Sequence, residues 1–139
     1  MISIRPAEMS DKELWHRFDG HLPEEGFAAK VRDGQAYVLL SDDIPAGIMR
    51  YNLFWDNTPF CTMLFIGEEF RSRGFGTALM SRRENDMRSL GFGMVMISTQ
   101  SDESAQHFYR KIGYKDCGGF AIDITGYEQP LEIIMIKKL

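Results

Sequence analysis

A short glycine-rich segment constrains this chain more than any other part of its sequence. The apolar run Phe60 to Ile66 precedes the segment 70–77 (FRSRGFGT), and a helical pattern begins near Thr77. Two glycines one residue apart let successive backbone N–H groups point into one concave nest, and such nests bind phosphate oxygens. Arg71 and Arg73 add positive charge to the same loop. The sequence therefore predicts a strand, a polyphosphate-binding loop and a helix, in that order.

Two common nucleotide-binding motifs do not fit this loop. A P-loop ends in Gly-Lys-Ser or Gly-Lys-Thr, whereas Gly76 is followed directly by Thr77. A dinucleotide fingerprint requires a third glycine at the position of Leu79. The polyphosphate predicted for this loop therefore belongs to neither of those nucleotide-binding classes.

A second segment, residues 101–114 (SDESAQHFYRKIGY), narrows the interpretation. Arg-x-x-Gly-x-Gly after a strand resembles the acetyl-coenzyme A signature of the GCN5-related N-acetyltransferases (GNAT family). The downstream segment is similar to that family's Asn-x-x-Ala-x-x-x-Tyr-x-x-x-Gly-Phe block, and the two motifs occur in the family's order. The family's frequent asparagine corresponds to Asp102 here, and its usual proline after the strand corresponds to Glu68.

The resemblance implies a fold, an activity and a set of contacts. The fold is α/β, with a mixed, largely antiparallel central sheet, helices on both faces, and two neighbouring strands that splay apart around the pantetheine. The activity is transfer of an acetyl group from acetyl-CoA, the cosubstrate, to a primary amine of a small molecule or protein. The coenzyme contacts implied are the backbone at Leu64 and Ile66, and the loop residues Arg71, Ser72, Arg73, Gly74, Phe75, Gly76 and Thr77.

Tyr109 has two interpretations. In many family members a tyrosine at the matching position is catalytic, and a protonated phenol can donate its proton to the thiolate that leaves the tetrahedral intermediate. Alternatively, Gly113 ends the helix and Tyr109 makes a purely hydrophobic closing contact with Tyr114. We expect the catalytic role for Tyr109 and a core position for Tyr114.

The sequence gives weaker indications of the general base and of the acceptor site. The run Phe60 to Ile66 contains no carboxylate, so the candidate bases are Glu68, Glu69 and Asp56, with an ordered water chain as the alternative. Three aromatic residues could form an apolar wall beside the thioester, although core packing is the simpler expectation for at least two of them. These residues are Tyr51, Phe54 and Trp55.

Hydrophobic periodicity and turn residues predict the order of elements. Strands are expected at 2–5, 36–40, 46–55, 60–66, 94–99 and 131–138. Helices are expected from a Ser10–Glu13 capping box onward, and at 23–32, 77–90 and 102–112. Two turns, at 42–45 and 56–59, should join the middle strands into an antiparallel meander. Gly91 should adopt the left-handed conformation that ends the longest helix.

Length and composition set further bounds. A chain of 139 residues predicts one soluble domain, residues 1–139. A net charge of −4 argues against nucleic acid as a partner, and the lack of a long apolar run or a signal peptide predicts no membrane partner and a cytoplasmic location. Cys61 and Cys117 show no metal-ligand spacing, so we expect no metal, a buried Cys61 and an incidental Cys117. The sequence leaves open whether the protein forms a homodimer.

Three functions compete at this level. The leading hypothesis is direct acetyl transfer, because no cysteine lies in the sequence context of a nucleophile. The second is a catalytically silent acyl-CoA-binding or regulatory module. The third is an unrelated scaffold whose glycine loop only holds a phosphate.

Overall fold

The structure is a computed structural model that describes all 139 residues. Its four helices are α1 Lys12–Phe18, α2 Glu24–Arg32, α3 Phe75–Ser89 and α4 Ala105–Lys111. Its seven strands are β1 Ile2–Pro6, β2 Ala36–Ser41, β3 Ile44–Phe54, β4 Thr58–Ile66, β5 Met94–Gln100, β6 Lys115–Phe120 and β7 Glu132–Lys138. Two single-turn 3-10 helices, Met9–Asp11 and Glu68–Phe70, precede α1 and follow β4.

All seven strands form one sheet in the order β1-β2-β3-β4-β5-β7-β6. Only the central pair, β4 and β5, is parallel; the other five pairs are antiparallel. A parallel pair needs a crossover connection, and the segment that contains α3 supplies it. The predicted mixed, largely antiparallel α/β fold is confirmed.

Hydrophobic cores on both faces of the sheet hold the helices in place. On β2, Val38 belongs to one core cluster while Tyr37 and Leu39 belong to the other, as expected for a strand buried on both faces. The first cluster includes Trp15 of α1 and Phe27 of α2. The second includes Leu79, Met80 and Met87 of α3 and Tyr109 of α4. Helices α1 and α2 therefore cover one face, and α3 and α4 the other.

Most predicted elements are present, with shifts at their ends. Gly91 has φ of 91°, as expected for the residue that ends α3. The predicted Ser10–Glu13 capping box is wrong: α1 begins at Lys12, and the Asp11 carboxylate accepts the Glu8 N–H at 2.8 Å. That carboxylate also binds Arg5, which fixes the chain between β1 and α1.

The sequence prediction missed β6 and extended α4 too far toward its N-terminus. Strand β6 lies at the edge of the sheet, all its residues are exposed, and its pairing with β7 shifts between Asp116 and Gly118. The predicted turns are also shorter than expected, since Pro45 lies in β3 and Pro59 in β4. Cys61 is buried, as expected, and Cys117 is exposed.

No helix is both long enough and apolar enough to cross a membrane. No group of three or more histidine, cysteine, aspartate or glutamate side chains is arranged to hold a metal ion.

A buried ion pair joins the end of α1 to β3. Asp19 is fully buried, and its Oδ2 accepts hydrogen bonds from Arg50 Nε at 2.8 Å and Trp15 Nε1 at 3.2 Å. Its Oδ1 accepts the His21 N–H at 3.1 Å. Burial acts to raise the pKa of Asp19, but the hydrogen bond and charge of Arg50 outweigh it, so the pKa lies below its usual value.

We predict that Asp19→Asn destabilises the protein in a pH-dependent way. Because the folded-state pKa of Asp19 is depressed, its contribution to stability is present above the unfolded pKa of about 3.9 and is lost as the pH falls through the folded pKa. The free energy of unfolding of Asp19→Asn should be about 3 kcal/mol lower than that of the wild type at pH 7, as for a broken buried ion pair. The difference should be much smaller near pH 2.

Urea unfolding of both proteins at several pH values measures this effect. Asp33→Asn is the matched control, since Asp33 pairs with Arg32 on the surface and should change stability little. An equal loss at neutral and acid pH for Asp19→Asn would contradict the electrostatic explanation.

Candidate active site

A cleft opens where β4 and β5 stop pairing. The two strands pair only at Phe60↔Met96 and Cys61↔Ile97, although β4 continues to Ile66 and β5 to Gln100. The cleft measures about 820 Å³ and is bordered by the end of β4, the glycine loop, the start of α3, and α4. A cleft of this size accepts an extended small-molecule ligand.

The glycine loop directs a row of free N–H groups toward the cleft. The first hydrogen bond of α3 runs from the Ala78 N–H to the Gly74 oxygen at 3.0 Å, so the N–H groups of residues 74–77 have no partner inside the helix. Gly74 has φ of 80° and open space around it, so its left-handed backbone favours glycine. The N-terminal end of this 15-residue helix, with several free donors, has the features that allow a helix to bind a phosphate group.

Gly76 serves packing as well as the approach of a ligand. A Cβ at this position would lie 3.4 Å from the Phe108 ring, and Phe108 also borders the cleft. From sequence, one expects a side chain at Gly76 to displace a phosphate directly. In the structure, a side chain larger than alanine at this position would meet Phe108, which itself borders the cleft.

Positively charged side chains also border the cleft. Arg71 donates its Nε–H to the Ile66 oxygen at 3.0 Å, which leaves its two terminal nitrogens free. Lys111 of α4 also borders the cleft. Arg73 lies outside the cleft lining, and its guanidinium carbon is 5.7 Å from the centre of the Phe70 ring. The other predicted contact residues of the loop, 71, 72 and 74–77, all border the cleft.

The free edge of β4 supplies further backbone donors. Gly67 donates its N–H to the Ala46 oxygen of β3 at 2.8 Å. Because the backbone groups of a strand alternate in direction, the N–H groups of Leu64 and Ile66 point to the opposite edge, toward the cleft. Both residues border the cleft, as the sequence predicted. An extended ligand with amide groups can pair with this edge as another strand would.

Tyr109 lies at the inner end of the cleft with a free hydroxyl. The residue is 7% exposed and borders both the cleft and a second cavity described below. Its hydroxyl makes no hydrogen bond to the protein, although the Tyr37, Tyr51 and Tyr114 hydroxyls all do. Burial raises the pKa of Tyr109 above its usual value, and Cys61 and Glu103 raise it further.

The packing role expected for Tyr109 is also present. The Tyr114 N–H bonds to the Tyr109 oxygen at 3.0 Å and the Gly113 N–H to the Arg110 oxygen at 3.1 Å, which is the Schellman arrangement. The Tyr109 and Tyr114 rings meet edge to face with centroids 6.2 Å apart. Packing thus fixes the ring of Tyr109, while its hydroxyl remains available.

A cavity of about 280 Å³ adjoins the cleft on the other side of Tyr109. It is bordered by two carboxylate residues, Glu103 and Glu132, and by Thr99. Glu103 borders the cleft as well, and its Oε1 accepts the Gln100 N–H at 2.9 Å. Glu132 lies opposite Gln100 in the β5–β7 pairing. Sequence reasoning missed both glutamates, although Glu103 lies inside the second motif.

The candidate bases expected from sequence are wrong. Glu68 and Glu69 border a separate groove with Arg17 and Phe18 on the α1 side, and Asp56 lies in the β3–β4 hairpin. None of the three borders the cleft or the adjoining cavity.

Tyr51, Phe54 and Trp55 do not form an aromatic wall at the cleft, and the core packing expected for at least two of them holds only for Tyr51, since Phe54 and Trp55 are exposed. Phe54 pairs with Thr58, which precedes the two residues of β4 that pair with β5. Phe54 therefore lies on the opposite side of these paired positions from the gap. Tyr51 is buried and its hydroxyl bonds to the Gly34 oxygen. None of the three residues borders the cleft or the cavity.

Comparison with known sequences gives one family. The model of the acetyltransferase (GNAT) family matches residues 3–114, which is most of the chain. Among curated proteins, none matches the chain in sequence.

Solved structures share the fold at low sequence identity. Ard1 from Thermoplasma volcanium has a TM-score of 0.86 at 17% identity and covers 99% of this chain and 97% of its own. The ribosomal-protein-S18-alanine N-acetyltransferase from Escherichia coli has a TM-score of 0.81 at 16% identity, with coverage of 99% and 94%. A GNAT family acetyltransferase from Elizabethkingia anophelis with acetyl-CoA bound has a TM-score of 0.78 at 17% identity, with coverage of 99% and 98%.

We predict that Gly76→Val abolishes coenzyme A binding and leaves the domain folded. The branched side chain should push Phe108 into the cleft and stiffen the first turn of α3. Titration calorimetry with coenzyme A, together with circular dichroism, measures both properties. Gly20→Val is the control, because a Cβ at Gly20 meets no atom within 4 Å. Unchanged affinity for coenzyme A in Gly76→Val would refute the assignment of a polyphosphate site to this cleft.

Proposed function

The chain belongs to the acetyltransferase (GNAT) family and is an acetyl-CoA-dependent N-acetyltransferase, and we propose that it transfers the acetyl group directly to a primary amine. The observation that carries this proposal is the position of Tyr109. Its free hydroxyl lies between the cleft that would hold the coenzyme and the cavity that would hold the acceptor. The acceptor would be a small molecule or a protein.

The residues at the cleft suit the parts of acetyl-CoA. We infer that the loop N–H groups, Arg71 and Lys111 bind the pyrophosphate, since all border the cleft and carry positive charge or free donors. The free edge of β4 at Leu64 and Ile66 would pair with the pantetheine amides. The thioester would then lie near Tyr109, at the inner end of the cleft.

Direct transfer is supported by the state of the two cysteines. Burial raises the pKa of the Cys61 thiol, so its reactive thiolate is disfavoured, and its Sγ–H lies 3.5 Å from the Met63 oxygen. Cys117 lies on the exposed edge strand β6. Cys61 borders the cavity beside Tyr109, but burial keeps its thiol protonated and so a poor nucleophile, and Cys117 borders neither the cleft nor the cavity.

The reaction then needs one base and one acid. The neutral amine attacks the thioester carbon, a C–N bond forms, the C–S bond breaks, and the thiolate takes a proton. We propose that Glu103 takes a proton from the substrate ammonium to give the neutral amine. Tyr109 protonates the leaving sulfur, and the proton that the nitrogen loses as the amide forms restores the Tyr109 hydroxyl. Glu103 replaces the candidates expected from sequence because it borders both the cleft and the cavity.

Backbone donors would stabilise the transition state. The carbonyl oxygen of the thioester becomes negative during attack, and N–H groups along the free edge of β4 are available to it. The cytoplasmic location and the absence of nucleic-acid and membrane partners stay predictions from sequence.

We predict that Tyr109→Phe lowers kcat by roughly 10²–10⁴, the usual range for loss of an acid catalyst, with little change in coenzyme binding. Phenylalanine keeps the ring that packs against Tyr114, so stability should stay nearly unchanged. The loss should shrink at high pH, where a thiol product with a pKa near 8.5 leaves as the thiolate.

Thiol release across pH, with any amine that turns over, measures this effect for both proteins. Tyr127→Phe is a matched control, because Tyr127 is 72% exposed and lies far along the chain in the β6–β7 connection. If Tyr109→Phe turned over at the wild-type rate, the acid role of Tyr109 would be refuted and only its packing role at the end of α4 would remain.

A further inference from the structure

The cavity beside Tyr109 carries two negative charges and no positive one. Its charged lining residues are Glu103 and Glu132, and no lysine, arginine or histidine borders it. Arg50 approaches the rim through a 3.1 Å hydrogen bond to the Thr62 hydroxyl, but its charge is paired with the buried Asp19. Carboxylates that share a small space without a cation repel each other, so the cavity favours a cationic occupant.

A second observation indicates that the cavity binds a ligand. Thr99 is 5% exposed and borders the cavity, and its Oγ1 is buried without a hydrogen-bond partner. A buried hydroxyl without a partner costs stability unless a ligand or water satisfies it. The Tyr109 hydroxyl, which also borders the cavity, has no protein partner either.

The two carboxylates differ in position. Glu103 borders the coenzyme cleft as well as the cavity, so it lies where the reacting nitrogen must reach the thioester. Glu132 borders the cavity alone and lies on β7, and its Oε1 accepts the Gln129 side-chain N–H at 3.3 Å. A group held by Glu132 therefore lies on the side of the cavity away from the coenzyme cleft.

Resting on the proposed function, we propose that the acceptor is a small aliphatic diamine, one nitrogen of which reacts while the second ammonium is held by Glu132. The reacting ammonium gives its proton to Glu103, which removes one charge from each partner. Glu132 then still needs a cation, and a monoamine supplies none. A volume of about 280 Å³ suits an acceptor smaller than a drug-sized ligand.

The same charges disfavour another class of acceptor. A free amino acid carries a carboxylate, and Glu103 and Glu132 would repel it without any cation in the lining to bind it. An acceptor with a carboxylate in place of the second ammonium should therefore be the poorest of a length-matched set.

Three four-carbon amines test the proposal. They are 1,4-diaminobutane, 1-aminobutane and 4-aminobutanoate, which differ only in the charge of the distal group. In wild-type protein, kcat/KM from thiol release should be highest for the diamine, by about tenfold or more over 1-aminobutane, and lowest for 4-aminobutanoate. This preference corresponds to one charged hydrogen bond, since tenfold equals about 1.4 kcal/mol.

The variant Glu132→Gln should lower the preference for the diamine over 1-aminobutane to near one. Glu25→Gln removes the same charge from the exposed start of α2 and should leave the preference at its wild-type value. Glu103→Gln should lower kcat for both amines and keep the preference. Equal kcat/KM for the diamine and the monoamine in wild type, or an unchanged preference in Glu132→Gln, would overturn the proposal.

A binding measurement separates this inference from the proposed function. Calorimetric titration of 1,4-diaminobutane into protein that holds coenzyme A measures binding of the diamine to the cavity without any turnover. Binding that Glu132→Gln abolishes, without thiol release from any amine, would support the diamine site and reject direct transfer. Turnover with 1-aminobutane but no binding of the diamine would reject the diamine site and leave direct transfer standing. A peptide with two adjacent lysines that outcompetes 1,4-diaminobutane would overturn the assignment to a small molecule.

Discussion

The early separation of β4 from β5 is the constraint on which the site depends. After two paired positions, the backbone groups of β4 that face the gap have no strand partner. Backbone N–H and C=O groups need partners, so this edge can accept an extended ligand with amide groups in place of a strand. The same gap admits Tyr109 from α4 and leaves the cavity with Glu103 and Glu132 on its far side. One interruption of the sheet thus provides space for both substrates.

A buried polar network holds α4 in position beside that gap. The Tyr114 hydroxyl accepts from Arg83 at 2.9 Å and donates to Glu84 at 2.9 Å. Lys137 of β7 donates to Glu84 at 2.7 Å and to the Ile112 oxygen at 2.8 Å. These bonds tie the end of α4 to α3 and β7, and connected buried networks of this kind specify a single arrangement. The orientation of Tyr109, five residues before Tyr114, follows from this network.

The local parts of the site could be predicted from sequence, and the parts that depend on distant strands could not. The glycine loop and the end of α4 at Gly113 follow from neighbouring residues, so their chemistry was visible in short motifs. Glu132 reaches the site only because β7 inserts between β5 and β6, and no local pattern shows that. Glu68 lies two residues past the end of β4 and just before the glycine loop, yet it borders a separate groove with Arg17 and Phe18 of α1. Strand β6 was missed because its glycines and charges are typical of a loop.

Under the proposed function, the charges around the gap would separate the two substrates. Arg71, Lys111 and the N–H groups of the loop border only the cleft, Glu132 borders only the cavity, and Glu103 borders both. A polyanionic coenzyme would therefore be repelled from the cavity, and a cationic amine would be attracted to it. Acetylation also converts a cationic nitrogen into a neutral amide, which weakens its attraction to the two carboxylates. The charge distribution that favours binding of the amine thus also favours release of the acetylated product.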